Sequence, residues 1–259
     1  MRSDLYLDLF LKEDTHWWHV GKRMLMEQLI RKYMPHLQEK ANLLDVGCGT
    51  GRMLDMLGGF GTPWGIDMAD EALDFCRQRG FHNLRRHDLN QPFDFDFDFD
   101  VISALDVIEH LEDDIQGLKN LKQALNPDGI LIVSVPAYQF MFSYWDVALG
   151  HKKRYTLKTL TQAVEAAGYT IVKKSYTNTS ILIPAAVVRS LKGLAGRANR
   201  KINARLLSED TDFTSLPKPL NDFLISLYNI ENRLVLTKGL PMGLSALVVC
   251  KPNPSKQNV

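Results

Sequence analysis

Short apolar runs recur along the chain and alternate with stretches of helical spacing. LLDVGC at 43–48 leads into GRMLDML, TPWGID leads into EALDFCRQR, NLRRHD follows, FDVISALD leads into a helical stretch from Asp113 to Leu125, and GILIVSVP ends at Pro136. Strands alternating with helices predict βαβ units and a parallel sheet. Several of these runs are apolar without strict alternation, as strands covered on both faces require. TIVKKSYT around Ile171 and SALVVCK at 245–251 predict two further strands. The stretch between them, from about Asn178 to Gly243, is too long for a structureless loop. Within it ILIPAAVVRSLKGLAGRANRKINARLL and LNDFLISLYNIENRLVL carry helical spacing, with Pro217 and Pro219 as punctuation between them.

The predicted architecture is therefore α/β, a doubly wound, seven-stranded, mostly parallel sheet. Residues 1–40 form an amino-terminal helical cover, 41–177 with 244–252 the core, 178–243 a helical insertion between strands six and seven, and 253–259 a flexible tail. The segment DFDFDFD at 94–100 places Phe93, Phe95, Phe97 and Phe99 on one face of an extended strand entry and leaves the aspartates on a solvated face. A metal site built from those aspartates would need further converging ligands, and none is expected.

Composition narrows the function classes. The 259 residues are 45% hydrophobic, enough for a well-buried core. Lys plus Arg of 31 against Asp plus Glu of 30 leaves a net charge of +1, so no global field favours a nucleic acid or an anionic membrane. A basic run, Arg189, Lys192, Arg197, Arg200, Lys201 and Arg205, is read as a solvated helix face, with peripheral membrane contact through the insertion as its alternative. Cys48, Cys76 and Cys250 form no CxxC pair, which argues against a zinc cluster or a disulfide framework. The amino terminus meets acidic residues early and does not read as a secretory leader, and no run approaches a membrane span. A reducing cytoplasm is the expected compartment.

The candidate chemistry sits in Asp45-Val46-Gly47-Cys48-Gly49-Thr50-Gly51, which follows an apolar strand and opens a helical pattern at Arg52. Glycines there allow a tight turn and close approach of a ligand to the main chain, beside the unpaired N–H groups of a helix start. A glycine-rich turn alone also fits dinucleotide enzymes. Here Arg52 stands where a dinucleotide GxGxxG needs its last glycine. Asp45 beside the cradle suits a cationic ligand and would repel a pyrophosphate.

On these residues LLDVGCGTG resembles the first motif of class I S-adenosylmethionine-dependent methyltransferases, and the likeness extends from about Leu43 to Pro136. The resemblance implies S-adenosylmethionine as cofactor. It further implies that Asp67 in WGID holds the ribose hydroxyls with Met68 beside the adenine, that Asp88 meets the adenine amine with Leu89 offering its backbone, and that Asp106 in SALDVIEHL lines the methionine end. In similar proteins a tryptophan pair and a following arginine precede the first strand, which places Trp18 over the cofactor and Arg23 at its carboxylate. A lone Asp is usually a helix cap or a solvated loop residue. Four of them at successive strand ends fall where open α/β sheets bind ligands.

If the acceptor is a hydroxyl, a general base helps, and His110 in DVIEHL, His151 in GHKKRYT and His16 in THWWHV are the candidates. Tyr138, His151, Arg154 and Tyr155 are candidate substrate contacts; the alternative for the GHKKRYT cluster is a solvated helix entry capped by Thr156. The expected reaction is methyl transfer to a small-molecule, lipid-linked or glycan-linked acceptor, at oxygen rather than carbon or nitrogen. Rival readings are a nicotinamide-dependent oxidoreductase and a noncatalytic cofactor-binding protein. A nucleic-acid methyltransferase is weakened by the near-neutral charge and by the lack of an Asn/Asp-Pro-Pro-aromatic signature after strand four.

Overall fold

The computed structural model describes residues 3–182 and 216–253. The predicted tail beyond Asn253, the first long segment of the insertion beyond Leu182 and its basic run fall outside the described residues. Helices α1 (Ser3–Lys12) and α2 (Trp17–Tyr33) precede β1 (Asn42–Val46), α3 (Arg52–Leu57), β2 (Thr62–Asp67), α4 (Asp70–Gln78), β3 (Leu84–Arg86) and β4 (Phe99–Leu105). Then come α5 (Asp114–Gln123), β5 (Leu125–Pro136), α6 (Tyr144–Leu149), α7 (Leu157–Ala166), β6 (Tyr169–Thr177), α8 (Lys218–Leu236) and β7 (Ser245–Pro252).

The strands form one seven-stranded sheet in the order β3-β2-β1-β4-β5-β7-β6, with β7 antiparallel to both neighbours and the other pairs parallel. The chain reverses direction across the sheet between β1 and β4, which opens a crevice at the carboxyl ends of those two strands.

Alternation along the strands feeds two cores. Leu43, Val101, Ile130, Ile132, Leu247 and Val249 face α2, α3 and α8, against Leu25, Met26, Leu29, Leu57 and Val235. Leu44, Ile102, Leu131, Val133 and Val248 face α5 and α7, against Leu118, Leu121, Leu160 and Val164. The central strands β1, β4, β5 and β7 are covered on both faces and read as apolar runs, whereas β3 and β6 at the sheet edges carry exposed positions.

The cover and the insertion meet. The α2 backbone at Gly21 lies so close to α8 that a Cβ there would collide with the Tyr228 ring. Asn232 Nδ2 donates to the Gly21 carbonyl at 3.1 Å, and Asn221 accepts from Trp17 N at 2.9 Å and donates to Thr15 O at 2.9 Å. The DFDFDFD segment is the expected strand entry. Ladder pairing starts only at Phe99, yet the four rings do share a face, packed in sequence with Trp64 beside them, while Asp94, Asp96 and Asp98 are exposed. Ring packing replaces backbone pairing there.

Candidate active site

The glycine turn follows β1. Gly47, Gly49 and Gly51 have φ of 67°, 53° and 89°, the left-handed region open to glycine. A Cβ on Gly47 would lie 2.5 Å from Val107 Cγ2, and one on Gly51 would lie 2.9 Å from Cys76 Sγ, so neighbouring elements close on the turn from both sides. Gly49 differs. Among the described residues the nearest atom to its Cβ position is Leu9 Cδ2 of α1 at 3.7 Å, so these residues leave that face of the turn open. Cys48 contributes backbone only, because its side chain is buried against Cys76, Sγ to Sγ 3.8 Å.

Three carboxylates surround this turn. Asp67 at the end of β2 accepts from Gly49 N and from Ala69 N, each at 3.0 Å, and so stands level with the cradle. Asp45 on β1 is buried, accepts from Ser103 Oγ at 2.7 Å, and is pushed up to about 7 by burial, with Ser103 and the Lys22 charge opposing. Asp106 leaves β4 in the left-handed region at φ 58°, its N–H donating to Ser134 O at 2.8 Å. Its carboxylate pairs with Lys22 of α2. Asp88 closes its own turn by accepting from Asn90 N (3.0 Å) and Nδ2 (2.7 Å). Leu89 is buried with its carbonyl taken by Asn120, and Met68 is 52% exposed.

The cover is fastened to the cradle by Glu13, a buried carboxylate that accepts from Thr50 Oγ1 and from Arg79 Nη2 at 2.8 Å. Trp18 lies on α2 with the Lys22 ammonium 5.8 Å from its ring centroid. Arg23 departs from the expected arrangement. Its Nη1 donates to Glu13 O at 2.7 Å and its Nη2 to Asp14 O at 3.2 Å, which engages the guanidinium in the α1–α2 turn.

Beyond β4 and β5 a second cluster forms. Asp146 on α6 is fully buried and accepts from His151 Nδ1 (2.9 Å), Arg154 Nε (2.7 Å), Arg154 Nη2 (3.0 Å) and Ser143 N (2.8 Å). Burial pushes this carboxyl up, but the bonds from His151 and Arg154 and the guanidinium charge outweigh it and hold it below the usual range. Because Asp146 only accepts, His151 carries its proton on Nδ1 and leaves Nε2 as the basic nitrogen. That Nε2 lies 3.8 Å from Glu109 Oε1. Glu109 is wholly buried, neither side-chain oxygen has a hydrogen-bond partner among the described residues, and burial together with the Asp106 charge raises its carboxyl well above the usual value. His110 packs edge-on against His151, centroids 4.8 Å apart, with Nδ1 donating to Gly150 O at 3.2 Å; burial and the neighbouring ring lower it.

Two predicted substrate contacts are corrected. Arg154 is engaged by Asp146 and by the Ala137 carbonyl (3.2 Å), and Tyr155 is 3% exposed with its hydroxyl donating to Asp114 at 2.7 Å. Both build the wall behind His151, and Thr156 caps α7 as the alternative reading has it. Tyr138 stacks between Phe140 and Tyr176 at the end of β5. His16 is buried at the start of α2, away from this cluster in sequence and lowered by burial. Lys22, Glu13, Glu109 and Asp146 were not anticipated. Only Asp146 carried a signal, since Ser143-x-x-Asp146 ahead of Gly150 spells a helix with a capping box and a glycine stop.

The family model described as "Methyltransferase domain" matches residues 17–174. A ubiquinone biosynthesis O-methyltransferase of Actinobacillus pleuropneumoniae serotype 5b (strain L20) is 31% identical over 172 residues, covering 60% of this chain and 72% of its own. One of the same name from Rickettsia typhi is 28% identical over 88% of this chain and 96% of its own. The crystal structure of an S-adenosylmethionine-dependent methyltransferase from Clostridium acetobutylicum shares the fold, with a TM-score of 0.55 at 12% identity over 90% of this chain and 92% of its own.

Proposed function

The chain belongs to the methyltransferase-domain family and is an S-adenosylmethionine-dependent methyltransferase, and from that premise we propose that it methylates a hydroxyl oxygen of a small or lipid-linked acceptor, with His151 as the general base. The observation that carries this is the Asp146–His151 pair, which aims a basic Nε2 toward Glu109 at the exits of β4 and β5. The relatives' name, which speaks of O-methylation in ubiquinone biosynthesis, supports an oxygen acceptor.

The residues fit the cofactor on structural grounds: a glycine turn with one open face, a carboxylate level with it at Asp67, and the carboxyls of Asp45 and the Lys22-paired Asp106 beside it for a ligand that bears two cationic centres. In this reading the turn from Gly47 to Gly51, Asp67 and Met68 hold the nucleoside, Asp88 and Leu89 flank the adenine, and Trp18 covers it. When bound, S-adenosylmethionine supplies an activated methyl group. The protein's part is to orient the acceptor, exclude water and take up the hydroxyl proton at His151 Nε2. Tyr138 offers an aromatic wall for that acceptor.

A second reading rests on Glu109, His110 and His151, whose donor atoms lie within 4.8 Å of one another. A divalent cation there would lower the acceptor's pKa in place of a free base. No helix among the described residues is long and apolar enough to cross a membrane. Leu220, Phe223, Ile230 and Leu234 stand exposed along α8 and support peripheral contact with a lipid surface by a cytoplasmic enzyme.

Calorimetric titration with S-adenosylhomocysteine, against NAD as control, followed by turnover with phenolic and amine acceptors before and after EDTA, tests the proposal. Binding of the former alone with O-methylated product supports it. Binding of NAD, or methylation at nitrogen only, overturns it, and loss of turnover in EDTA restored by a divalent ion selects the second reading.

A further inference from the structure

One ammonium stands among the acids of the site. Lys22 on α2 pairs with Asp106 at the end of β4, its side chain is only 16% exposed, and its charge reaches Asp45 on β1 and Glu109 in the turn after β4. Its orientation is set from behind. Gly21 lets Tyr228 lie flat against the helix, Asn232 holds the Gly21 carbonyl, and Trp18 one turn earlier lies beside the ammonium. The neighbouring cation, Arg23, is already bound to two main-chain carbonyls in the α1–α2 turn.

Resting on the cofactor reading above, we propose that Lys22, rather than Arg23, anchors the carboxylate of the cofactor's amino-acid end, and that the Lys22–Asp106 pair is opened by that zwitterion: its carboxylate meets Lys22 and its ammonium meets Asp106. The exchange keeps every charge paired. In the free protein each of the two side chains serves as counter-ion for the other, and in the complex each is matched by the opposite end of the ligand. A desolvated cation left without its anion is costly, so a ligand with the ammonium but no carboxylate is rejected by the same lysine that welcomes the whole zwitterion.

The test compares S-adenosylhomocysteine with its decarboxylated analogue by calorimetry on the full chain. The wild type is expected to favour S-adenosylhomocysteine by at least about tenfold, the size of one charge-assisted contact. Lys22→Met is expected to erase that preference by weakening S-adenosylhomocysteine while binding the analogue as well as or better than the wild type does. Lys22→Arg is expected to restore it. Lys22→Gln serves in the same role if the methionine variant does not fold, as judged by thermal melting. Equal weakening of both ligands, or an undiminished preference in Lys22→Met, overturns the lysine assignment, as does its loss in Arg23→Met but not in Lys22→Met. A wild type that binds neither ligand sinks the cofactor reading itself.

Discussion

The ends of β1 and β2 differ from the ends of β4 and β5 in where their polarity comes from. At β1 and β2 the polarity comes from a glycine turn, whose Gly47, Cys48, Gly49 and Gly51 N–H groups are tied within the protein, and from the carboxylates Asp45 and Asp67 beside it. At β4 and β5 it comes from side chains brought together from three elements: Glu109 and His110 in one turn, Asp146 on α6, and His151 after it. A glycine turn tied down by its own hydrogen bonds is rigid, chemically neutral and open to close approach, which suits holding a ligand. Side chains that titrate and can be aimed suit moving a proton. One half is a socket and the other is a tool.

That contrast predicts a division of phenotype. His151→Ala is expected to lower kcat by about 10²- to 10⁴-fold while leaving the Kd for S-adenosylhomocysteine unchanged; a parallel loss of binding would merge the two halves into one. Gly47→Ala should act in the opposite sense, since its Cβ meets Val107 and its φ is left-handed. A penalty of about 3 kcal/mol, on the order of a hundredfold in affinity, follows from overpacking plus left-handed strain. It is read by calorimetry, with thermal melting to record how much falls on the fold. Gly49→Ala shares only the strain and should cost less. Asp67→Ala is expected to weaken S-adenosylhomocysteine by about tenfold, ~1.4 kcal/mol, through hydrogen bonds lost to a charged acceptor.

The smallest effect is a pH dependence. Asp45 is pushed up to about 7 in the free protein. Folding raises this carboxyl, so its contribution to stability is greatest at acidic pH, declines as pH rises from about 4 toward 7, and is level above that. A cationic ligand favours the ionised form, so binding should tighten a few-fold from pH 6 to pH 8 and release a proton seen as a buffer-dependent heat. Asp45→Asn should remove both.

How much of this was legible in the sequence follows the same division. The glycine turn, Asp45, Asp67 and Asp106 stand in local patterns of strand, turn and helix, and the order of those patterns is enough to place them. Glu109 and Asp146 are 37 residues apart in numbering, and nothing local says that His151 lies between their side chains. Arg154 and Tyr155 misled because a basic, aromatic cluster after a strand looks solvent-facing; their partners Asp146 and Asp114 meet them only once α6 and α5 are in place. Lys22 and Arg23 are adjacent in sequence but point into different neighbourhoods, a matter of helix rotation that α8 decides.

The contacts that set this rotation join distant parts of the chain: Trp17 to Asn221 spans 204 residues and Gly21 to Asn232 spans 211. Contacts of such separation form late, after the entropy of closing the intervening chain has been met. During synthesis the glycine turn and its strands can assemble while α2 has no α8 to lean on. The socket's own strands thus come early in the chain, but β7, which seats between β5 and β6, follows α8, so the roof over the glycine turn and the last strand of the sheet arrive together.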